Sequence, residues 1–149
     1  MRNLEKVFAL KRSVLFANAD EYMLTTVADI AAAVEIEPGE TFIDEGDWGQ
    51  DLLMIVAGQV RIHADGVEVT VMKPGDIIGE MALVSSAPHA LSASAITHVD
   101  LLRIDKLDLD NILLNYPEIA KNMIDILSYQ LRERTVELIL SRKYHDGIA

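Results

Sequence analysis

The sequence predicts an α+β chain in which an antiparallel barrel or sandwich is flanked by helices. Residues 4–34 and 106–142 place apolar side chains three and four apart, the spacing of helices. Residues 33–105 instead break into short runs rich in Val and Ile. These runs are separated at close intervals by the turn sequences EPGE (37–40), EGDWG (45–49), AGQ (57–59), ADG (64–66) and KPGD (73–76). A length of 149 residues accommodates one such domain and not two.

The first segment divides into two helices. Leu4, Val7, Phe8 and Lys11 share one face, and Tyr22, Met23, Val27, Ile30 and Ala31 resume the period after a break at 17–19. Asn18, followed three residues later by Glu21, is the expected N-cap of the second helix. In the middle, residues 51–57, 59–64 and 67–72 are too short for helices of this kind. Val60, Ile62 and Ala64 alternate with Arg61 and His63, as on a half-buried strand. Strands resume at 92–97 and 100–105. Leu107, Leu109, Ile112 and Leu113 open the helical ending, and Pro117 suits the first turn of a last helix reaching residue 142. On that helix Ile124, Leu127, Leu131, Thr135 and Leu138 form a stripe expected to pack on the barrel or on another chain.

Half of the residues are hydrophobic and a quarter charged, the balance of an ordinary folded core. The net charge of -11 is concentrated: residues 35–80 hold nine of those charges. Such a field disfavours nucleic acid and anionic membrane surfaces as direct partners, and an anionic ligand of the barrel needs a local device to offset it. Cysteine is absent, which removes disulfides and thiolate chemistry and fits a cytoplasmic setting. No apolar run approaches the roughly 18 residues of a membrane span, and the charged N-terminus lacks the apolar centre of a secretory signal.

Ser85, Ser86, Ser92 and Ser94 lack a nucleophile elbow, and no metalloprotease or phosphate-loop motif is present, so no enzyme is expected. No helix-turn-helix follows the last helix. Glu45, Asp47 and Asp51 do not have the spacing of a calcium loop. His63, His89 and His98 lack an H-x-H pair or an acidic ligand at fixed spacing, and each is expected in a surface or half-buried role. Metals and cofactors are therefore not expected. Trp48 is expected as partly exposed packing in a turn away from any pocket.

The most informative stretch is PGDIIGEMALVSSAPHALSASA, residues 74–95. A strand end, then Gly79, Glu80 and a short turn at 81–83, would gather several backbone N–H groups around one point, which is an anion site. Glu80 beside it could accept from sugar hydroxyls. The plainer alternative is a tight turn carrying a solvated carboxylate. GEMAL followed by PHALSA resembles the phosphate-binding cassette of the cyclic nucleotide-binding domain family, whose pattern runs G-E-x-A-L and then P-R-A-A/S-T/S. Residues 38–62, PGETFIDEGDWGQDLLMIVAGQVRI, are similar to the first barrel half of that family. With LKRSVLF (10–16) and the closing helices, the likeness covers about residues 10–135.

The resemblance implies an eight-stranded, jelly-roll-like β-roll at 33–105, N-terminal helices at 1–32 and two C-terminal helices at 106–149. It implies a regulatory, ligand-sensing domain for cAMP or cGMP in signal transduction. Gly79, Met81, Ala82 and Leu83 would offer backbone contacts, and Glu80 would accept from the ribose 2′-hydroxyl. His89, Ala90 and Ser92 would lie near phosphate or base, and occupancy would reposition the last helix. A homodimer or a covalently linked output domain would be the macromolecular partner, and LEKVFALKRSVLF resembles linkers that precede such domains in larger proteins. One position departs from the pattern. His89 stands where the family has the phosphate-binding Arg, and a His is shorter and mostly neutral at pH 7. Losing a charge-assisted bond of about 1.5–3 kcal/mol weakens binding roughly 10 to 100-fold. The competing reading is a degenerate fold that binds no nucleotide and serves as an interaction or dimerisation module.

Overall fold

The computed structural model describes residues 1–80 and 87–148, with side chains described through Tyr144. Helices α1 (Asn3–Lys11) and α2 (Glu21–Ile30) come first. Asp20, not Asn18, caps α2, because its carboxylate accepts the Met23 N–H at 2.8 Å, three residues into the first turn. At the other end of α2, Lys6 Nζ donates to the Ala31 carbonyl at 2.7 Å, a cation on the negative end of the helix.

Eight strands follow: β1 (Ala32–Ile36), β2 (Thr41–Ile43), β3 (Asp51–Ala57), β4 (Val60–Ala64), β5 (Val67–Met72), β6 (Ile77–Ile78), β7 (Ser92–Ala95) and β8 (Val99–Asp105). They form two four-stranded sheets in the orders β1-β8-β3-β6 and β2-β7-β4-β5, antiparallel throughout. The α+β fold with an eight-stranded antiparallel roll is therefore observed. Helix α3 (Lys106–Asn115) begins directly after β8, with Asp105 accepting from the Asp108 N–H at 2.8 Å, and α4 (Pro117–Ile148) closes the described chain.

The layers follow from which strands alternate. β4 buries Val60 and Ile62 and leaves Arg61 and His63 half-buried, as its sequence predicts, because only one face of the second sheet is covered. β3 does not alternate in this way. Its Leu52 and Met54 join a core with Phe16, Leu24, Val27, Leu102 and Ile119, while Leu53 and Ile55 join another with Val60, Ala93 and Leu101. The first sheet is thus a middle layer, with helices on one face and the second sheet on the other. A strand buried on both faces reads as a continuous apolar run.

Helix α4 enters the helical core by Ile119 and Met123, with Ile126 and Leu127 packed against it. The expected stripe does not lie on the roll: Ile124, Leu131 and Leu138 are 62%, 68% and 56% exposed. The burying face is displaced by one residue, about 100° of helix rotation, so only Leu127 belongs to both stripes. No helix among the described residues is long and apolar enough to cross a membrane.

Candidate functional site

Between the second sheet, the turn after β6 and the middle of α4 lies a cavity of about 280 Å³. Ile43, Ile62, Met72 and Ile78 supply apolar wall, and Gly79, Glu80, His89, Ala90 and Ser92 gather on the lining with them. Five of the expected site residues therefore share one cavity. Met81, Ala82 and Leu83 lie outside the described residues.

Gly79 has φ +89°, in the left-handed region, and a Cβ there would stand 2.9 Å from the Asp51 carbonyl oxygen of β3. Both facts demand glycine, since any side chain would push the turn off the sheet edge. That close approach directs the next residue inward: Glu80 is 5% exposed, so the solvated carboxylate of the plainer alternative is not what the fold contains. Burial raises the Glu80 pKa, and the Gln130 amide, the residue's own backbone and the Arg134 charge partly oppose that rise.

His89 is held by its backbone. Its N–H donates to the Asp47 carbonyl at 2.7 Å, its carbonyl accepts from the Gly46 N–H at 2.8 Å, and Pro88 is bridged to Trp48. The EGDWG turn is consequently not remote from the cavity, as expected of Trp48, but braces the segment that lines it. Trp48 itself is 62% exposed. Burial lowers the His89 pKa and nearby Asp47 raises it, with burial the larger effect, so the imidazole is more firmly neutral at pH 7 than a free histidine. Ser92 is buried and its Oγ accepts the Glu45 N–H at 3.0 Å, which leaves the hydroxyl proton free to donate.

Two lining residues escaped the sequence reading. Gln130 Nε2 donates to Glu80 Oε1 at 2.9 Å, and Arg134 lines the cavity one helical turn further on. Their signal was the true core stripe of α4: Ile119, Met123 and Ile126 continue at the same spacing into Gln130 and Arg134. A polar pair that extends a buried face is aimed at something polar. Arg134 is the one Lys or Arg among the described lining residues, whereas Arg61, Lys73 and Arg103 of the roll do not line it. Gln130 Oε1 is buried without a hydrogen-bond partner among the described residues, an acceptor beside the Glu80 carboxylate. Chemically, the cavity offers apolar walls, a buried acceptor pair, one cation and a hydroxyl donor, a set suited to a small polar ligand with an apolar portion.

Comparison with known proteins agrees with this geometry. The family model of the cyclic nucleotide-binding domain matches residues 33–116. The CRP-like cAMP-activated global transcriptional regulator of Mycobacterium tuberculosis is 29% identical over 128 residues, covering 83% of this chain and 57% of that protein. The crystal structure of Thermus thermophilus catabolite activator protein superposes with a TM-score of 0.80 at 26% identity, covering 87% of this chain and 63% of that one. The regulatory domain of Toxoplasma gondii PKA, co-crystallised with cAMP, gives a TM-score of 0.67 at 32% identity over 74% of this chain and 44% of that one. The chain spans about half the length of the curated relatives it matches. It belongs to the cyclic nucleotide-binding domain family.

Proposed function

We propose that this member of the family is a regulatory module that binds cAMP or cGMP in the cavity beside Glu80, and that occupancy repositions α4. The observation that carries the reading is the 2.9 Å bond from Gln130 Nε2 to Glu80 Oε1. Glu80 is the group proposed to accept from the ribose 2′-hydroxyl, and in the free protein it already receives a hydrogen bond from the helix. A ligand hydroxyl that takes this carboxylate shares or replaces that bond, so the position of α4 and the occupancy of the cavity are linked. Gly79, Ala90, Ser92 and His89 are assigned to the phosphate end, with Met81, Ala82 and Leu83 contributing backbone donors. The module is read as cytoplasmic, non-enzymatic and without a resident cofactor.

Its macromolecular partner is proposed to be a second copy or a linked output domain, engaged through the exposed Ile124, Leu131 and Leu138 of α4. The expectation that nucleic acid is no partner has no support from the relatives, one of which is a transcriptional regulator, and it stays with the charge of this chain alone.

His89 favours the competing reading, a pocket that binds no nucleotide, because a neutral imidazole replaces the phosphate-gripping guanidinium. Titration calorimetry with cAMP, cGMP and 2′-deoxy-cAMP at pH 6 and pH 8 decides between them. A bound anion favours protonated His89 and raises its pKa above the lowered free value. The expected outcome is binding that strengthens as pH falls, weakens without the 2′-hydroxyl, and becomes roughly 10 to 100-fold tighter and pH-independent in His89→Arg. No binding by parent or variant would replace this reading with the interaction module.

A further inference from the structure

The pairing of β1 with β8 sets Glu35 opposite Asp100 and Ile36 opposite Val99. Side chains alternate faces along both strands, so the buried pair Ile36 and Val99 points inward. Glu35 of β1 and Asp100 of β8 then share the outward face, and Glu37 and His98, each one residue beyond its strand, lie beside them. One ligand atom each from Glu35, His98 and Asp100 lies within 4.8 Å of the others. His98 Nε2 is 3.3 Å from Asp100 Oδ1, and its Nδ1 is 3.8 Å from Glu37 Oε1. Like charges directly opposed across a ladder are unfavourable, yet Glu35 and Asp100 are so placed.

We propose that Glu35, His98 and Asp100 form a binding site for a divalent transition-metal ion of the zinc class, separate from the cavity beside Glu80. An imidazole combined with carboxylates is the donor set such ions prefer, whereas calcium and magnesium favour oxygen alone. Donors about 2.1 Å from a tetrahedral ion stand roughly 3.4 Å apart. Glu35 and His98 are exposed, so their side chains are free to turn toward that spacing. The ion would neutralise the opposed carboxylates and clip β1, at the edge of its sheet, to β8. This reverses the sequence expectation for His98: the acidic ligand at fixed spacing is Asp100, two residues on, and the others arrive through strand register.

Zn²⁺ titration of the full chain by calorimetry, with Co²⁺ followed by visible absorption, tests the site. The expected result is one equivalent bound with micromolar or tighter affinity and a four-coordinate Co²⁺ spectrum. His98→Ala and Asp100→Asn should each weaken binding by at least about 10 to 100-fold, the loss already seen when only supporting groups of metal sites are removed. His63→Ala, on the other sheet, should leave binding unchanged. Glu35→Gln repeats the test if His98→Ala alters the circular dichroism of the fold. Absence of saturation at millimolar metal, or binding that survives both His98→Ala and Glu35→Gln, overturns the proposal.

Discussion

The two halves of α4 differ in what they touch. The first, through Ile119 and Met123, is buried among α2, α3 and the first sheet, and Asn122 Nδ2 fastens it to the Leu15 carbonyl at 3.1 Å. The second exposes Leu131, Leu138 and Leu140 and meets the body of the protein at Gln130 and Arg134. One half is held by burial of apolar area, which no small ligand can reverse. The other is held by a hydrogen bond to a carboxylate, an interaction of about 1.5–3 kcal/mol, which is the size of free energy a ligand can redirect. The difference assigns stability to the first half and, on the proposed function, responsiveness to the second.

The strongest way to break that comparison is Ile119→Ala. It should cost about 2–5 kcal/mol in denaturant unfolding, because a fully buried branched side chain leaves a cavity among rigid neighbours. A loss below about 1 kcal/mol would mean that the first half is not anchored as described.

Glu80→Gln sharpens the comparison from the second half. The folded-state pKa of Glu80 is raised, so the free protein loses stability as pH climbs from the unfolded carboxylate range, near about 4.3, through that raised value. The amide removes this loss and can donate to the orphaned Gln130 Oε1. The variant should therefore unfold at higher urea than the parent at pH 8, with the gap closing toward pH 4, and on the proposed function it should bind cyclic nucleotide more weakly. Equal midpoints at pH 8 would contradict the buried-carboxylate account.

The smallest expected effect belongs to Leu131→Asp. At concentrations where the chain is monomeric it should shift stability by no more than about 0.5 kcal/mol, since the side chain is 68% exposed, whereas a burying role would make it severe. Sedimentation at high concentration then reads whether the parent self-associates through this face and the variant does not.

Features that are local in sequence were legible and features set by register were not. The alternation of Val60 and Ile62, the Pro117 start of α4, and the Gly79 and Glu80 turn depend on neighbours a few residues away. Asp20 displaced Asn18 as the cap because both are good capping residues and only the position of the Met23 N–H separates them. The stripe of α4 is expected on the barrel or on another chain, and the barrel alternative fails because Leu and Ile lie on two adjoining faces and spacing cannot say which one meets the core. Gln130 was not singled out in the sequence because its partner Glu80 lies 50 residues away and only the fold brings the two into contact. The Glu35 and Asp100 pairing is likewise invisible without the β1 and β8 register.

A sheet that serves as the wall of two cores cannot come apart in stages. Leu53 and Ile55 sit on the cavity-side core and Leu52 and Met54 on the helix-side core, on consecutive residues of one strand. Opening either side exposes the backbone of the other, so β3 and β8 should exchange their amide hydrogens with deuterium only when the whole molecule unfolds. β5, an edge strand exposed along most of its length, should exchange through local opening many times faster. The slowest-exchanging amides would therefore trace one continuous seam through the middle layer, and a ligand that stabilises the cavity should slow exchange along that seam up to the helices on its far side.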